Sequence, residues 1–438
     1  MPSAPMPKRN FDRDAALEEA VGAYRTAHPC SLERHQAAHA SLPGGNTRSI
    51  LHFEPFPLTA VRGEGCRIWS LDGQEFIDFL CEYSAGLYGH SHPAIRAAVE
   101  EALADGVVLG APSRYEAGFA AMLCERFASI ERLRFCNSGS EATLMCLSLA
   151  RALTGRRKVL AFRGAYHGGF LMFPDGPGPL NAPFDFVLAD YNDLEGTRTL
   201  LREQGEQIAA VIVEPMMGAG GCLPADKAFL EMLREESRAA GALLIFDEVI
   251  TSRLSPGGLQ GLIQVFPDLT ALGKYLGGGL TFGAFGGSAE IMARFDPARP
   301  DALMHAGTFN NNVLTMAAGK AGLEQILTPT AIDDLNRRGD RLRGRLAALF
   351  DARGVAMTVT GLGSLMTVHF LSEEPVHAAD LAQQDPRLKR LFHLAMLERG
   401  IYLSPRGMLA LSLPMADAET DTLLAAVGAF IDAYAALI

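Results

Sequence analysis

Three short stretches put chemically able residues where an α/β protein presents its ligands. The first is Asn137-Ser138-Gly139-Ser140-Glu141-Ala142, behind the apolar run 133–136 and ahead of a helical pattern through Arg151. The first turn of a helix leaves backbone N–H groups without intrahelical partners, and the helix dipole adds positive charge there, so an anion is attracted. Two hydroxyls and a glycine suit a phosphate, although an ordinary serine N-cap has the same sequence. The second is Asp247, which closes the all-apolar run 242–246. Ligand-binding groups in open α/β sheets gather at the carboxyl ends of strands. A carboxylate there needs a positive partner or it takes up a proton. A protonated ring nitrogen would serve; a helix-capping role or an arginine partner is the alternative. The third is Lys274, the one cation in Leu272-Gly273-Lys274-Tyr275-Leu276-Gly277-Gly278-Gly279. Burial disfavours the ammonium form and leaves a nucleophilic amine; the commoner fate of a lone lysine before a loop is the surface. A nucleotide P-loop is excluded, because Asp268 stands where the first glycine is needed and Tyr275 replaces the Ser or Thr.

A phosphate cradle, a carboxylate and a low-pKa lysine, in that order, are what a protein must supply to pyridoxal 5′-phosphate. The lysine joins the cofactor covalently, and the aspartate keeps the ring nitrogen protonated so that the ring draws electrons. The coincidence of the three is more specific than any one of them. The rest of the composition narrows the class. The net charge is −11, with 39 Lys+Arg against 50 Asp+Glu and no basic run, so nucleic acid is not expected as a partner. No apolar stretch approaches the roughly 18 residues of a bilayer span, and Lys8 and Arg9 have no apolar region behind them, so neither a membrane segment nor a secretory leader is expected. Seven dispersed cysteines without a CxxC pair read as thiols in a reducing cytoplasm, Cys136 and Cys146 as structural core, and no metal is called for.

The elements that must position these residues follow from periodicity. An amphipathic helix opens the chain around Leu17, Ala20, Val21 and Tyr24. Short strands at 58–62, 67–70 and 75–79 follow, with a hairpin signal at Asp72-Gly73. From about residue 94, helices such as 93–104 and 228–240 alternate with apolar runs at 133–136, 158–162, 208–213 and 242–246. That alternation predicts a mostly parallel sheet sandwiched by helices. Residues 174–183, rich in Pro and Gly, read as a surface loop. Thr328 and Pro329 start another helix, followed by strands at 356–360 and 365–370, a helix 388–399 stopped by Gly400, a strand at 409–413 and a helix 417–437. The expected division is a large domain at 80–328 and a smaller α+β domain at 329–438, which the segment 1–79 joins.

Seven stretches carry a family resemblance: Tyr88-Gly89-His90-Ser91-His92-Pro93, 137–142, Ala165-Tyr166-His167-Gly168-Gly169, Val213-Glu214-Pro215-Met216, Phe246-Asp247-Glu248-Val249, Leu272-Gly273-Lys274 and Gly307-Thr308-Phe309. Over nearly its whole length the chain resembles the class III aminotransferases, of pyridoxal-phosphate fold type I. The resemblance implies that Ser138, Gly139 and Ser140 hold the phosphate, that Tyr166 stacks on one ring face and Val249 packs on the other, and that Asp247 pairs with the ring nitrogen. It puts Glu214 near the ring's substituents, and Thr308 on the phosphate of the neighbouring subunit, which implies a homodimer with its active site at the interface. His167 is read as a packed, structural donor.

Within the class the layout is similar to glutamate-1-semialdehyde aminomutases. Thr308-Phe309-Asn310-Asn311-Asn312-Val313-Leu314 departs from their Ser-Gly-Asn-Pro sequence, and the loop after Gly168-Gly169 is shorter than their lid, which retains an intermediate. Together with Asn46-Thr47-Arg48-Ser49 and Ser404-Pro405-Arg406-Gly407, the Asn run is similar to bacterial β-amino-acid aminotransferases of the β-phenylalanine group. By that likeness Arg48 takes the carboxylate of the β-amino acid and Arg406 that of the keto acid acceptor, 2-oxoglutarate or pyruvate, through bidentate forks. A surface salt bridge is the plainer role for either. Tyr83 and Tyr88 are expected to line the pocket, with core packing as the alternative. The expected activity is transamination. An aminomutase, a racemase or epimerase on the same scaffold, and a non-catalytic cofactor-binding homologue are the rivals.

Overall fold

A computed structural model describes residues 12–438; the stretch 1–10, read above for a leader, lies outside the described residues. A seven-stranded sheet runs in the order Arg132–Cys136, Gly283–Gly287, Leu269–Gly273, Leu243–Asp247, Ile208–Val213, Lys158–Phe162, Asp185–Ala189. Only Gly283–Gly287 runs against its neighbours; the other pairings are parallel. The strand Ile208–Val213 is buried at every position, as a central strand covered by helices on both faces must be. Helix Gly139–Thr154 lies on Leu269–Gly273, Gly283–Gly287 and Ile208–Val213, and helix Lys227–Ala240 on Leu243–Asp247. The fold is α/β with a mixed, mostly parallel sheet.

Three of these strands, 185–189, 269–273 and 283–287, are not evident from periodicity. The last two carry glycine for a packing reason where they meet the helix. A Cβ at Gly273 would stand 3.3 Å from Gly139 Cα, and one at Gly283 would collide with the Ser138 carbonyl. Glycine strands let the helix that begins at Gly139 lie directly on the sheet.

Near the amino terminus, Ala60–Glu64, Arg67–Ser70 and Glu75–Asp78 form an antiparallel ladder, turned at Gly73 with φ +82°. Ile401–Tyr402, from the far end of the chain, adds to it in parallel beside Glu75–Asp78. Thr358–Leu362, Leu365–His369 and Met408–Ala410 make a three-stranded sheet. The long helix Pro329–Arg353 opens as expected, with Thr328 Oγ1 accepting from Ala331 N at 3.2 Å and Gly354 closing it at φ +61°. One expectation needs correcting. The segment Asp417–Leu437 is long and apolar enough to cross a membrane, although no such stretch was expected. Half of it is buried inside the protein, and Phe430 packs its ring 5.1 Å from Phe392 and 6.1 Å from Phe370, so it reads as a core helix. All seven cysteines are free, with Cys136 and Cys146 buried.

Candidate active site

The strand Leu269–Gly273 ends where Lys274 begins a short helical turn, and Lys274 itself has φ +56°. A side chain in the left-handed region costs about 1–2 kcal/mol, so the surrounding structure must impose it. Lys274 Nζ donates to the Tyr83 carbonyl at 2.5 Å. Burial pushes the amine down to about 8, while Asp247, Glu214 and Glu82 pull the other way.

On the adjacent strand Asp247 pairs in register with Ala271. Its carboxylate is 6% exposed; Oδ1 accepts from Val249 N at 3.1 Å, and Oδ2 lies 2.8 Å from His167 Nδ1. An ionised aspartate fixes the proton on Nδ1, which leaves His167 Nε2 buried without a partner among the described residues. Glu214, at the end of the next strand, is tied at both oxygens: Oε1 accepts from Tyr166 N at 3.0 Å and Oε2 from Gly218 N at 2.9 Å. Burial and then the charge of Asp247 push its carboxyl up to about 7, against the opposing pull of His167 and these two N–H donors. Thus Glu214 positions the backbone that carries Tyr166, and His167 beside it orients Asp247.

Ser138 has extended backbone and caps helix Gly139–Thr154, its Oγ accepting from Glu141 N at 3.2 Å. Its ordinary capping role and its place at an anion-attracting helix end therefore coexist. Gly139 is required by Val249: a Cβ would come within 2.8 and 2.9 Å of the Val249 methyls. Gly168, at φ +111°, similarly makes room for Ser140. Thr143 Oγ1 donates to the carbonyls of Ser140 at 3.0 Å and His167 at 2.7 Å, joining the helix to the Tyr166 loop. The Asn run has separate tasks. Asn310 accepts from Asn137 Nδ2 at 3.0 Å, Asn311 donates to Glu116 at 2.9 Å, and Asn312 caps the helix that follows.

Tyr83 lies in a run of four left-handed residues, Cys81 to Ser84, at φ +46°, +49°, +52° and +78°. Its hydroxyl donates to Ile50 O at 2.9 Å, and the Arg406 guanidinium sits 5.8 Å from its ring centroid. Arg48 pairs with Glu82. Both arginines pull the Tyr83 and Tyr166 hydroxyls down, against a larger upward push from burial. Tyr88, by contrast, is core: it is 3% exposed, packs against Tyr275 at 6.3 Å, and leaves no space for a side chain at Gly322. Thr308 is exposed. Sequence reasoning did not single out Arg253, a fully buried arginine that donates to Ser364 Oγ, Ser84 O and Leu411 O; nothing in its sequence surroundings marks it as buried. A cavity of about 680 Å³ between Arg163, Asp190, His377 and Asp380 is lined by none of these residues.

Residues 52–173 and 178–431 match the class III aminotransferase family. The chain belongs to that family. The β-phenylalanine transaminase of Variovorax paradoxus is 50% identical over 425 residues, covering 97% of this chain and 98% of that one. A crystal structure of a β-phenylalanine aminotransferase from Variovorax paradoxus superposes with a TM-score of 0.96 at 50% identity, over 97% of this aminotransferase and 99% of that chain. A glutamate-1-semialdehyde 2,1-aminomutase of Desulforamulus reducens is 39% identical over 421 residues, 91% of this chain and 97% of that one. Class III aminotransferases work with pyridoxal 5′-phosphate, and the residues of this aminotransferase fit that group. A buried carboxylate lies 2.8 Å from the ring of a buried histidine. A helix N-terminus opens on a glycine that no side chain could replace without moving Val249. A lysine amine whose pKa burial lowers to about 8 stands at the end of the strand beside that of Asp247.

Proposed function

We propose that this aminotransferase moves the amino group of a β-amino acid of the β-phenylalanine kind to a keto acid such as 2-oxoglutarate or pyruvate. The observation that carries the reading is the placing of both arginines about the Tyr83 segment: Arg406 lies 5.8 Å from the Tyr83 ring, Arg48 pairs with the adjacent Glu82, and the Tyr83 carbonyl accepts from Lys274. A β-amino acid carries its carboxylate one carbon further from the amine than an α-amino acid does. Two guanidinium forks at one site let donor and acceptor bind in turn, with Arg48 for the donor and Arg406 for the acceptor. The 50% identity to a protein named β-phenylalanine transaminase supports the same substrate class.

When bound, the cofactor supplies a reactive aldehyde and an electron-withdrawing ring. Ser138, Gly139 and Ser140 take its phosphate at the helix end. Asp247, oriented by His167 and the Val249 N–H, keeps the ring nitrogen protonated. Tyr166 and Val249 would hold the two ring faces, and Glu214 would stand by the ring's substituents. Lys274 would anchor the group and, as a free amine, would take the proton from the donor's amine-bearing carbon and deliver it to the cofactor, so that the amino group stays with the cofactor. At pH 7 an amine with its pKa at about 8 is about one-tenth neutral, against roughly three in ten thousand at the ordinary value. Tyr83 lines the pocket through its ring.

Exposed Thr308 is assigned to the phosphate of a neighbouring subunit, so the working form is a homodimer with the active site at its interface, acting in the cytoplasm. Residues 80–328 form the cofactor domain, and 329–438 with the segment up to 79 form the smaller one. The test is a donor panel against 2-oxoglutarate and pyruvate that includes both enantiomers of β-phenylalanine, α-amino acids and arylalkyl amines. β-Phenylalanine is expected to turn over fastest. Activity confined to α-amino acids or amines would sink the substrate assignment, as would turnover of glutamate-1-semialdehyde without a keto acid.

A further inference from the structure

Among the described residues, Arg48 meets one acidic partner, Glu82. The two side chains are 45% and 52% exposed, and a pair so open to water exchanges partners readily. Glu82 does not stand on a yielding loop. It is the second residue of the left-handed run 81–84, and that run is pinned on every side. Asp78 Oδ1 accepts from the N–H groups of Leu80 and Cys81 at 3.0 and 2.9 Å. The next carbonyl, of Tyr83, accepts from Lys274 Nζ, and that of Ser84 accepts from Arg253 Nη1 at 3.3 Å. A rigid backbone thus presents one carboxylate to the guanidinium assigned above to the donor.

We infer that Glu82 is a resident competitor at Arg48: it occupies the carboxylate place when no donor is bound, and the donor's own carboxylate must displace it. The inference rests on the proposed role of Arg48. Its logic is electrostatic. Two carboxylates at one exposed guanidinium repel each other, so the donor binds against Glu82 and Glu82 returns as the product leaves. Glu82 thereby sets how strongly a donor must hold Arg48 before it is retained, making it a specificity-determining residue. Glu82 is also one of the carboxylates that favour the charged form of Lys274, behind Asp247 and Glu214. Its displacement by the donor therefore bears on the amine that moves the proton.

The experiment uses the holoenzyme with saturating 2-oxoglutarate and compares the parent, Glu82→Gln, Arg48→Ala and the double variant. Two quantities are read: the KM for β-phenylalanine, and the inhibition constant of 3-phenylpropanoate, which has the carboxylate but no amine. Glu82→Gln is expected to lower both by about two- to fivefold, the range of an exposed ion pair. Arg48→Ala is expected to raise both at least tenfold, and adding Glu82→Gln to it to change neither. If Arg48→Ala raises both constants but Glu82→Gln leaves them unchanged or raises them, Arg48 binds the donor and Glu82 is not its competitor. If Arg48→Ala changes neither constant, the assignment of Arg48 itself fails and takes the inference with it.

Discussion

Lys274→Met in the cofactor-free protein is expected to fold more stably than its parent at pH 7. Burial brings the amine from 10.5 to about 8. At about 1.4 kcal/mol per unit, that charges the folded state about 3 kcal/mol at pH 7. Methionine fills nearly the same volume without a charge. It forfeits the bond from Nζ to the Tyr83 carbonyl, worth about 1 kcal/mol, and the lysine side chain is only partly withdrawn from water, so the net gain is about 1–2 kcal/mol. The left-handed backbone at residue 274 is the same in both proteins and cancels. The pH dependence fixes the cause. Because the folded-state pKa lies below the unfolded one, the folded parent binds fewer protons between about pH 8 and 10.5, and its stability rises with pH across that window. The advantage of methionine is therefore full below pH 8 and closes by about pH 10.5. Thermal unfolding of both cofactor-free proteins from pH 7 to 10 measures it, with a separation of a few degrees at pH 7. Equal melting at pH 7, or a gap that stays constant to pH 10, would refute the reasoning.

Four further outcomes are expected. Gly139→Ala drives a methyl into Val249 and should weaken cofactor binding at least tenfold, read by titrating the apoenzyme and following absorbance. His167→Leu leaves Asp247 buried without its ring partner; kcat should fall about ten- to a hundredfold, as when an outer-shell partner of a working group is lost, with little change in KM. Glu214, pushed up to about 7 by burial, binds its proton more tightly folded than unfolded, so its share of folding stability falls from pH 4.5 to 7; Glu214→Gln should lack that fall and also an inflection near pH 7 in kcat/KM. Arg406→Ala should raise the KM for 2-oxoglutarate about ten- to a hundredfold, the worth of charge-assisted hydrogen bonds, and raise that for β-phenylalanine much less.

The working strand ends were legible because their strands are apolar throughout: the run 242–246 marks Asp247 as the polar residue at a strand end, with a helix cap or an arginine partner as the other readings of it. Lys274 was legible as an isolated cation, yet the strand that delivers it was not. Leu269-Thr270-Ala271-Leu272-Gly273 and Gly283-Ala284-Phe285-Gly286-Gly287 carry few β-branched residues, and their glycines at 273 and 283 stand where the chain around Gly139 needs the space a side chain would fill. Tyr83 and Tyr88 are both aromatic and five positions apart, but only the backbone turn at 81–84 decides that one faces Arg406 while the other enters the core. His167 was visible in its motif, and its role was not, since the pairing with Asp247 spans 80 positions. Arg253 was hidden for the same reason: its acceptors come from three segments far away in sequence.

The parallel pairing of Ile401–Tyr402 with Glu75–Asp78 imposes an order on synthesis. At roughly 5–20 residues per second, the ribosome needs about 15–65 s to travel from the first of these strands to the second. For that interval the amino-terminal ladder carries an open edge that its own chain has not yet made, next to apolar Phe76 and Ile77. Such an edge is a template for the wrong neighbour. The nascent chain is thus exposed to mispairing until Ile401–Tyr402 emerges, and a holdase chaperone acting in that interval would cover this edge.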